Sequence, residues 1–144
     1  MLPQSTNQDY VGPLWAAYAL LLAAAQSLLG GALQVILPDS GLISIAGLNL
    51  AHEGGLQMIA LAARLGATQI VWGLVLALVA LRYRSLTVPL LLMVVIEKSL
   101  ILFGRMIKPT GSEQMPPSLY GAMGVLVICL IALIVAARSG RAKS

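Results

Sequence analysis

The stretch PLWAAYALLLAAAQSLLGGALQVIL, residues 13–37, contains no charged residue and is longer than the about 20 apolar residues that a helix needs to cross a bilayer. Gly12 and Pro13 precede it, and Pro38 and Asp39 end it. A cleaved signal peptide is the alternative. Residues 1–12 carry no Lys or Arg, however, and the run is too long for such a peptide. We therefore expect a retained transmembrane helix.

Three further apolar runs follow. With the first, they predict one membrane domain over residues 1–144 whose helices span about 13–37, 55–81, 86–107 and 118–137. The fold class is all-α: a polytopic integral membrane protein with an antiparallel bundle of four transmembrane helices. The short turn 82–85 predicts a tight hairpin of the second and third helices. With 59% hydrophobic and only 10% charged residues, the chain is not a water-soluble domain, where charged residues make up about 25%.

The basic residues predict the topology. If the helices alternate, one side of the membrane receives five of them, and the other side receives Lys108 together with three acidic residues. The positive-inside rule makes the first side cytoplasmic, so both termini are inside. We expect a multi-pass protein of the bacterial inner membrane, embedded in the lipid bilayer, with no nucleic-acid partner. The five basic residues are Arg82, Arg84, Arg138, Arg141 and Lys143.

The non-cytoplasmic loop 38–54, PDSGLISIAGLNLAHEG, is unusually apolar. Exposing its four large aliphatic side chains to water would create a patch that needs a partner. We expect this segment to enter the membrane interface as a short helix or a re-entrant segment. The four side chains are Leu42, Ile43, Ile45 and Leu48.

Small residues recur at helical spacing on the first two predicted helices. In a bilayer such stripes allow the close backbone approach that holds helices together. They predict packing surfaces inside the bundle, with a homodimer face as the alternative. The stripes contain Ala19, Ala23, Ser27 and Gly31 on the first helix, and Ala62, Gly66, Gln69, Gly73 and Ala77 on the second.

Glu97 and Lys98 lie in the middle of the third predicted helix. Each charge at the centre of a bilayer costs about 2.5–3.5 kcal/mol on an insertion scale, so both need partners inside the bundle. As immediate neighbours they point about 100° apart and are expected to satisfy each other poorly. Arg64 and Arg105 are the predicted partners of Glu97.

These residues belong to a predicted polar cluster that opens toward the non-cytoplasmic side. It is either a pocket for a small ligand, a proton-handling site, or a structural ion pair that fixes helix register. The cluster comprises Gln26, Gln34, Arg64, Thr68, Gln69, Glu97 and Arg105, beneath the loop residues Asn49, His52 and Glu53.

The chain carries no motif for metal binding or catalysis. One cysteine, Cys129, and one histidine, His52, cannot form a Cys-based or multi-histidine site, so we expect no metal and no cofactor. No Ser–His–Asp set and no phosphate-binding loop is present. Trp72 is expected to fill packing space.

The segment RLGATQIVWGL, residues 64–74, resembles the arginine-then-glycines helix of the DoxX-like superfamily of small four-helix bacterial membrane proteins. The chain length and four-span layout are similar as well, although the resemblance covers mainly residues 64–105. It implies a compact four-helix bundle in a membrane accessory or quinone-linked redox context.

The leading functional hypothesis is a non-enzymatic inner-membrane protein that binds a membrane-protein partner or a small lipophilic ligand. One alternative is a proton-coupled small transporter that works as a dimer with Glu97 as its coupling carboxylate. Another is an intramembrane enzyme on a lipid-like substrate, with Glu97 as acid–base and Arg64 or Lys98 stabilising negative charge.

The topology can be tested by cysteine labelling in a background without Cys129. Ser112→Cys, in the loop between the third and fourth helices, should react with an impermeant maleimide in whole cells because that loop is predicted to be outside. Arg141→Cys should stay unlabelled until the cells are opened. Labelling at residue 141 but not at residue 112 would reverse the topology.

Overall fold

The computed structural model describes residues 3–51, 53–108 and 116–141, and this part of the chain contains four long α-helices and no β-strand. Each helix is long and apolar enough to cross a membrane. The predicted all-α class with four candidate membrane spans is therefore confirmed. The helices are α1 (Leu14–Ile36), α2 (Gly55–Arg82), α3 (Thr87–Ile107) and α4 (Pro117–Arg141).

The fourth helix extends further than the prediction, which ended it at residue 137. The helix continues to Arg141 because no proline follows its apolar run, and the single Gly140 does not end it. The Ser139 hydroxyl donates a hydrogen bond to the Val135 carbonyl oxygen at 2.9 Å. A cationic side chain such as Arg138 is also favourable near the C-terminal end of a helix.

The most extensive helix contact joins α1 to α2 through glycines. A β-carbon on Gly66 of α2 would lie 2.6 Å from Cβ of Gln34 and 2.8 Å from the carbonyl oxygen of Gly31 on α1. Further along, a β-carbon on Gly73 would lie 2.8 Å from Cγ of Leu28. Both spacings are shorter than ordinary van der Waals contact, so only glycine fits. The predicted small-residue stripes therefore form a packing surface within the chain.

The first helix also contacts α4 and α3, and α3 packs mainly on α4. Small side chains again allow the approach, and the buried Cys129 thiol of α4 lies 3.8 Å from the Ala19 carbonyl oxygen of α1. The core around this contact is built from Ala16, Ala19, Leu20, Ala23, Ala24, Leu76, Val79, Ala80, Leu91, Val94, Val125, Cys129, Ala132 and Ala136.

The expectation of a tight hairpin between α2 and α3 is wrong. The two helices are joined by one 3-10 turn, Arg84–Leu86, but they scarcely touch along their lengths. Gly66 and Gly73 of α2 face α1, and α3 contains no alanine and one glycine, Gly104. Because close helix approach depends on small residues, α2 and α3 remain separated by a gap.

The described residues of the loop after α1 form a compact series of turns, so they do not contain the short helix that was one of the two expected forms, and the re-entrant alternative stays a prediction. Both Asp39 carboxylate oxygens accept hydrogen bonds from backbone N–H groups, the shortest from Ser44 at 2.6 Å. These hydrogen bonds lower the pKa of Asp39 to about 2, and the bond from the Ser44 N–H contributes most. The hydroxyl of Ser40 donates to the Ile59 carbonyl oxygen at 3.1 Å, which fastens the loop to the start of α2.

The N-terminal segment covers the C-terminal end of α2, a role that the sequence did not indicate. The last carbonyl groups of a helix have no partner within it. Here the Arg82 carbonyl accepts bonds from the Thr6 N–H at 3.1 Å and the Ser5 hydroxyl at 3.0 Å. The Asn7 side-chain amide donates to the Leu81 carbonyl at 2.8 Å. This segment and the α2–α3 turn therefore lie at the same end of the bundle.

The glycine contact makes a direct stability prediction. Gly66→Ala should lower the free energy of unfolding by about 1–3 kcal/mol, because the new β-carbon must push α1 away from α2. Gly124→Ala on α4 is the matched control, since a β-carbon there meets nothing within 4 Å. Thermal unfolding in detergent, followed by tryptophan fluorescence, should show a loss for the first variant only. Equal stability of both variants would contradict the proposed close packing.

Candidate functional site

Glu97 is the central residue of α3, with residues 87–96 before it and 98–107 after it. In a membrane this places its carboxylate near the middle of the hydrocarbon core, where an ionised group without partners is very unfavourable. The side chains that contact Glu97 therefore define the candidate site.

Two side chains bind the Glu97 carboxylate, one to each oxygen. Lys98 Nζ forms an ion pair with Oε1 at 3.0 Å. Trp72 of α2 donates its indole N–H to Oε2 at 2.9 Å, across the gap between α2 and α3. Glu97, Lys98 and Trp72 together form the Glu97 site.

The two charged members of the site have different surroundings. Lys98 lies on the buried face of α3, in line with Leu91 and Val94, and its side chain is only 7% exposed. The Glu97 side chain lies to one side of that face and is 31% exposed. The cation is therefore inside the bundle, whereas the carboxylate borders the gap beside α2.

The expectation that Lys98 and Glu97 satisfy each other poorly is wrong. The angle of about 100° between adjacent residues on a helix gives only the directions of their β-carbons. The four-carbon side chain of lysine is long enough to bring its ammonium group back to the neighbouring carboxylate. Arg64, a predicted partner of Glu97, instead lies exposed on α2. Arg105 is half-buried two turns further along α3, and its role beside Glu97 stays a prediction.

Trp72 was expected only to fill space, and its hydrogen bond to Glu97 was missed. A signal for it was available. Counting equal numbers of residues from the 82–85 turn places Trp72 within one helical turn of the level of Glu97. Trp72 also carries the only indole N–H of α2. Buried indole groups usually find an acceptor.

The three predicted glutamines lie against glycines of neighbouring helices. A β-carbon on Gly30 of α1 would lie 3.1 Å from Oε1 of Gln69, and one on Gly121 of α4 would lie 3.0 Å from Nε2 of Gln26. Gln34 packs on Gly66, as described above. Within the described part of the chain, the buried Oε1 atoms of Gln26 and Gln34 accept no hydrogen bond.

Thr68 lies on the exposed face of α2, where its hydroxyl donates to the Leu65 carbonyl at 2.7 Å. An open groove of about 440 Å³ runs along this face, and Trp72 forms one of its walls. The groove is lined by Ala67, Thr68, Val71, Trp72 and Val75, without Gln26, Arg64, Gln69 or Glu97. It is therefore not the pocket that the sequence predicted.

The loop residues do not form part of the Glu97 site. Asn49 is exposed and accepts the Ala51 N–H at 3.0 Å, and Glu53 is exposed. His52 lies outside the described residues. A second open groove of about 490 Å³ on the loop is lined by Ile43, Gly47, Leu48, Asn49, Leu50 and Ala51.

Among residues 3–51, 53–108 and 116–141, no group of three His, Cys, Asp or Glu side chains is placed to hold a metal ion. No protein-family model, curated protein or solved structure matches the chain.

The pairing at the Glu97 site can be tested by a double-mutant cycle. Lys98→Met should lower the free energy of unfolding by about 3 kcal/mol, because it leaves the Glu97 carboxylate without its cation. The double variant Glu97→Gln/Lys98→Met should recover much of that loss, since glutamine is neutral and still accepts the Trp72 N–H. Unfolding in detergent micelles measures both variants.

Lys108→Met is the control for this cycle, because Lys108 is an exposed cation just after α3. Its stability should match that of the wild type. A double variant that is no more stable than Lys98→Met would show that the ion pair is not what requires Lys98.

Proposed function

We propose that this protein is a non-enzymatic membrane protein that binds a small lipophilic ligand at the Glu97 site. The observation that carries the proposal is the partly exposed Glu97 carboxylate at mid-helix depth, beside a gap that α2 and α3 leave open. A charged acceptor that stays accessible at this depth is unfavourable unless it has a function.

The chemistry of the site favours a ligand that donates a hydrogen bond. Oε1 of Glu97 accepts a hydrogen bond from Lys98, and Oε2 accepts one from Trp72. A carboxylate offers about four acceptor positions in all, so further positions remain for a ligand. Lys98 already neutralises the charge, so the ligand need not be a cation. A lipophilic molecule with a hydroxyl or amine group fits these conditions.

The setting of this proposal is an antiparallel bundle in a bacterial inner membrane with both termini cytoplasmic. The distribution of basic residues supports this topology. So does the contact of the N-terminal segment with Arg82, because it puts the N-terminus and the α2–α3 turn at one end. A DoxX-like relationship belongs to the same proposal and is supported by residues 64–74.

A proton-coupled carrier is the second candidate. The Glu97 carboxylate is partly exposed, whereas its partner Lys98 is buried. A proton or a cation could therefore reach the carboxylate and displace Lys98 from it. Four helices in one chain are few for a transport path, so this function would require a dimer.

The proposal can be tested by purifying the protein in mild detergent and identifying co-purified small molecules by mass spectrometry. The wild type should retain a lipophilic hydroxyl or amine compound. Glu97→Met/Lys98→Met should lose it, because this variant removes the acceptor together with the lysine that would otherwise be unpaired. Glu53→Gln, which changes an exposed loop carboxylate, is the matched control and should retain it.

A compound bound equally by the wild type and the double variant would contradict binding at Glu97. So would a wild-type protein that carries no such compound. Proton uptake into vesicles that requires Glu97, without any bound compound, would favour the carrier instead.

A further inference from the structure

A line of exposed residues runs along the face of α2 that points away from α1. Arg64, Thr68, Val71 and Val75 follow one another at spacings of four, three and four residues, so they share one side of the helix. Gly66 and Gly73, which face α1, lie on the opposite side. The groove described above occupies this line directly after Arg64.

The length of α2 sets the depth of Arg64. With 28 residues, α2 is about 42 Å long, whereas the hydrocarbon core is about 30 Å thick. Arg82 and Tyr83 mark one interface. About 20 residues counted back from Leu81 place the other boundary near Ala62. Arg64 then lies about 3 Å inside that boundary.

At this depth the guanidinium can reach the headgroup layer. Side chains of a helix lean toward its N-terminus, and long cationic side chains extend to the interface. Among the described acidic side chains, none pairs with Arg64: Glu97 binds Lys98, and Asp39 binds backbone N–H groups of its own loop. The phosphate of a bilayer lipid can therefore serve as a counter-ion for Arg64.

We infer that α2 binds one anionic phospholipid, with the phosphate on Arg64 and an acyl chain in the groove. The groove extends from Ala67 to Val75, about 12 Å along the helix axis, which suits a chain that descends from the headgroup toward the bilayer centre. The lining of the groove is almost wholly apolar. Arg64 lies just beyond the end of the groove that is nearer the membrane boundary. Charge complementarity thus selects an anionic headgroup over a zwitterionic one.

This site is separate from the ligand function proposed above. It uses Arg64 and the outer side of α2, whereas the Glu97 site uses the gap between α2 and α3. Trp72 contributes to both, through its ring face in the groove and its N–H on Glu97. A variant at Arg64 should leave the Glu97 ligand unchanged, because Arg64 is not one of the three residues of the Glu97 site.

The test is native mass spectrometry of the full chain in detergent, titrated with phosphatidylglycerol and phosphatidylcholine of identical acyl chains. The wild type should bind one phosphatidylglycerol about fivefold more tightly than phosphatidylcholine, as expected for one cation near the headgroup layer. Arg64→Gln should remove this preference, and Arg64→Lys should keep most of it. Val71→Trp should weaken both lipids without changing their ratio, because it fills the groove.

Arg138→Gln is the matched control, since it removes an exposed cation at the end of α4. It should keep the wild-type preference. An unchanged preference in Arg64→Gln would overturn the site. An equal loss in Arg138→Gln would also overturn it, because binding would then follow net charge alone. The thermal stability of each variant in detergent confirms that it is folded before the titration.

Discussion

A carboxylate and an ammonium group in the centre of α3 cannot both lie in hydrocarbon unless they neutralise each other, and the position of α3 follows from that constraint. Lys98 occupies the buried face of the helix, so its charge is shielded from lipid by the bundle. Glu97 must then stay within reach of Lys98 while it faces the gap beside α2. Trp72 completes the arrangement, because its N–H satisfies the second oxygen across that gap.

The bundle does not depend on contact between α2 and α3, because α1 packs closely on α2 and α4. In a bilayer, leucine on a helix gains nothing from leaving lipid for another leucine, so contacts form where backbones approach closely. Gly31 and Gly66 provide that approach between α1 and α2, and Ala19 and Cys129 provide it between α1 and α4. The α2–α3 pair has no such contact and is bridged by a polar bond instead.

The four spans and the small-residue contact could be predicted, because both depend on composition and spacing along single helices. The pairing of Glu97 with Lys98 could not be predicted, since a helical wheel places only β-carbons and ignores how far a lysine stem can bend. The N-terminal segment was equally hidden, because Ser5, Thr6 and Asn7 are as typical of a solvated tail as of a helix cap. Arg64 was predicted to point toward Glu97, but it is exposed, because the orientation of its side chain depends on which face of α2 meets α1. Gly66, only two residues later, fixes that face.

Depth then explains why two charged residues on facing helices have different chemistry. Near the boundary, Arg64 reaches the headgroup layer, so it can stay exposed and attract an anion from the bilayer. At the centre, Glu97 has no such route, so its charge must be cancelled inside the protein by Lys98. A molecule that enters between α2 and α3 therefore meets a hydrogen-bond acceptor with little net charge, whereas a lipid that lies along α2 meets a cation. The bilayer separates two binding chemistries on one helix by about 12 Å of axial distance between Arg64 and Trp72.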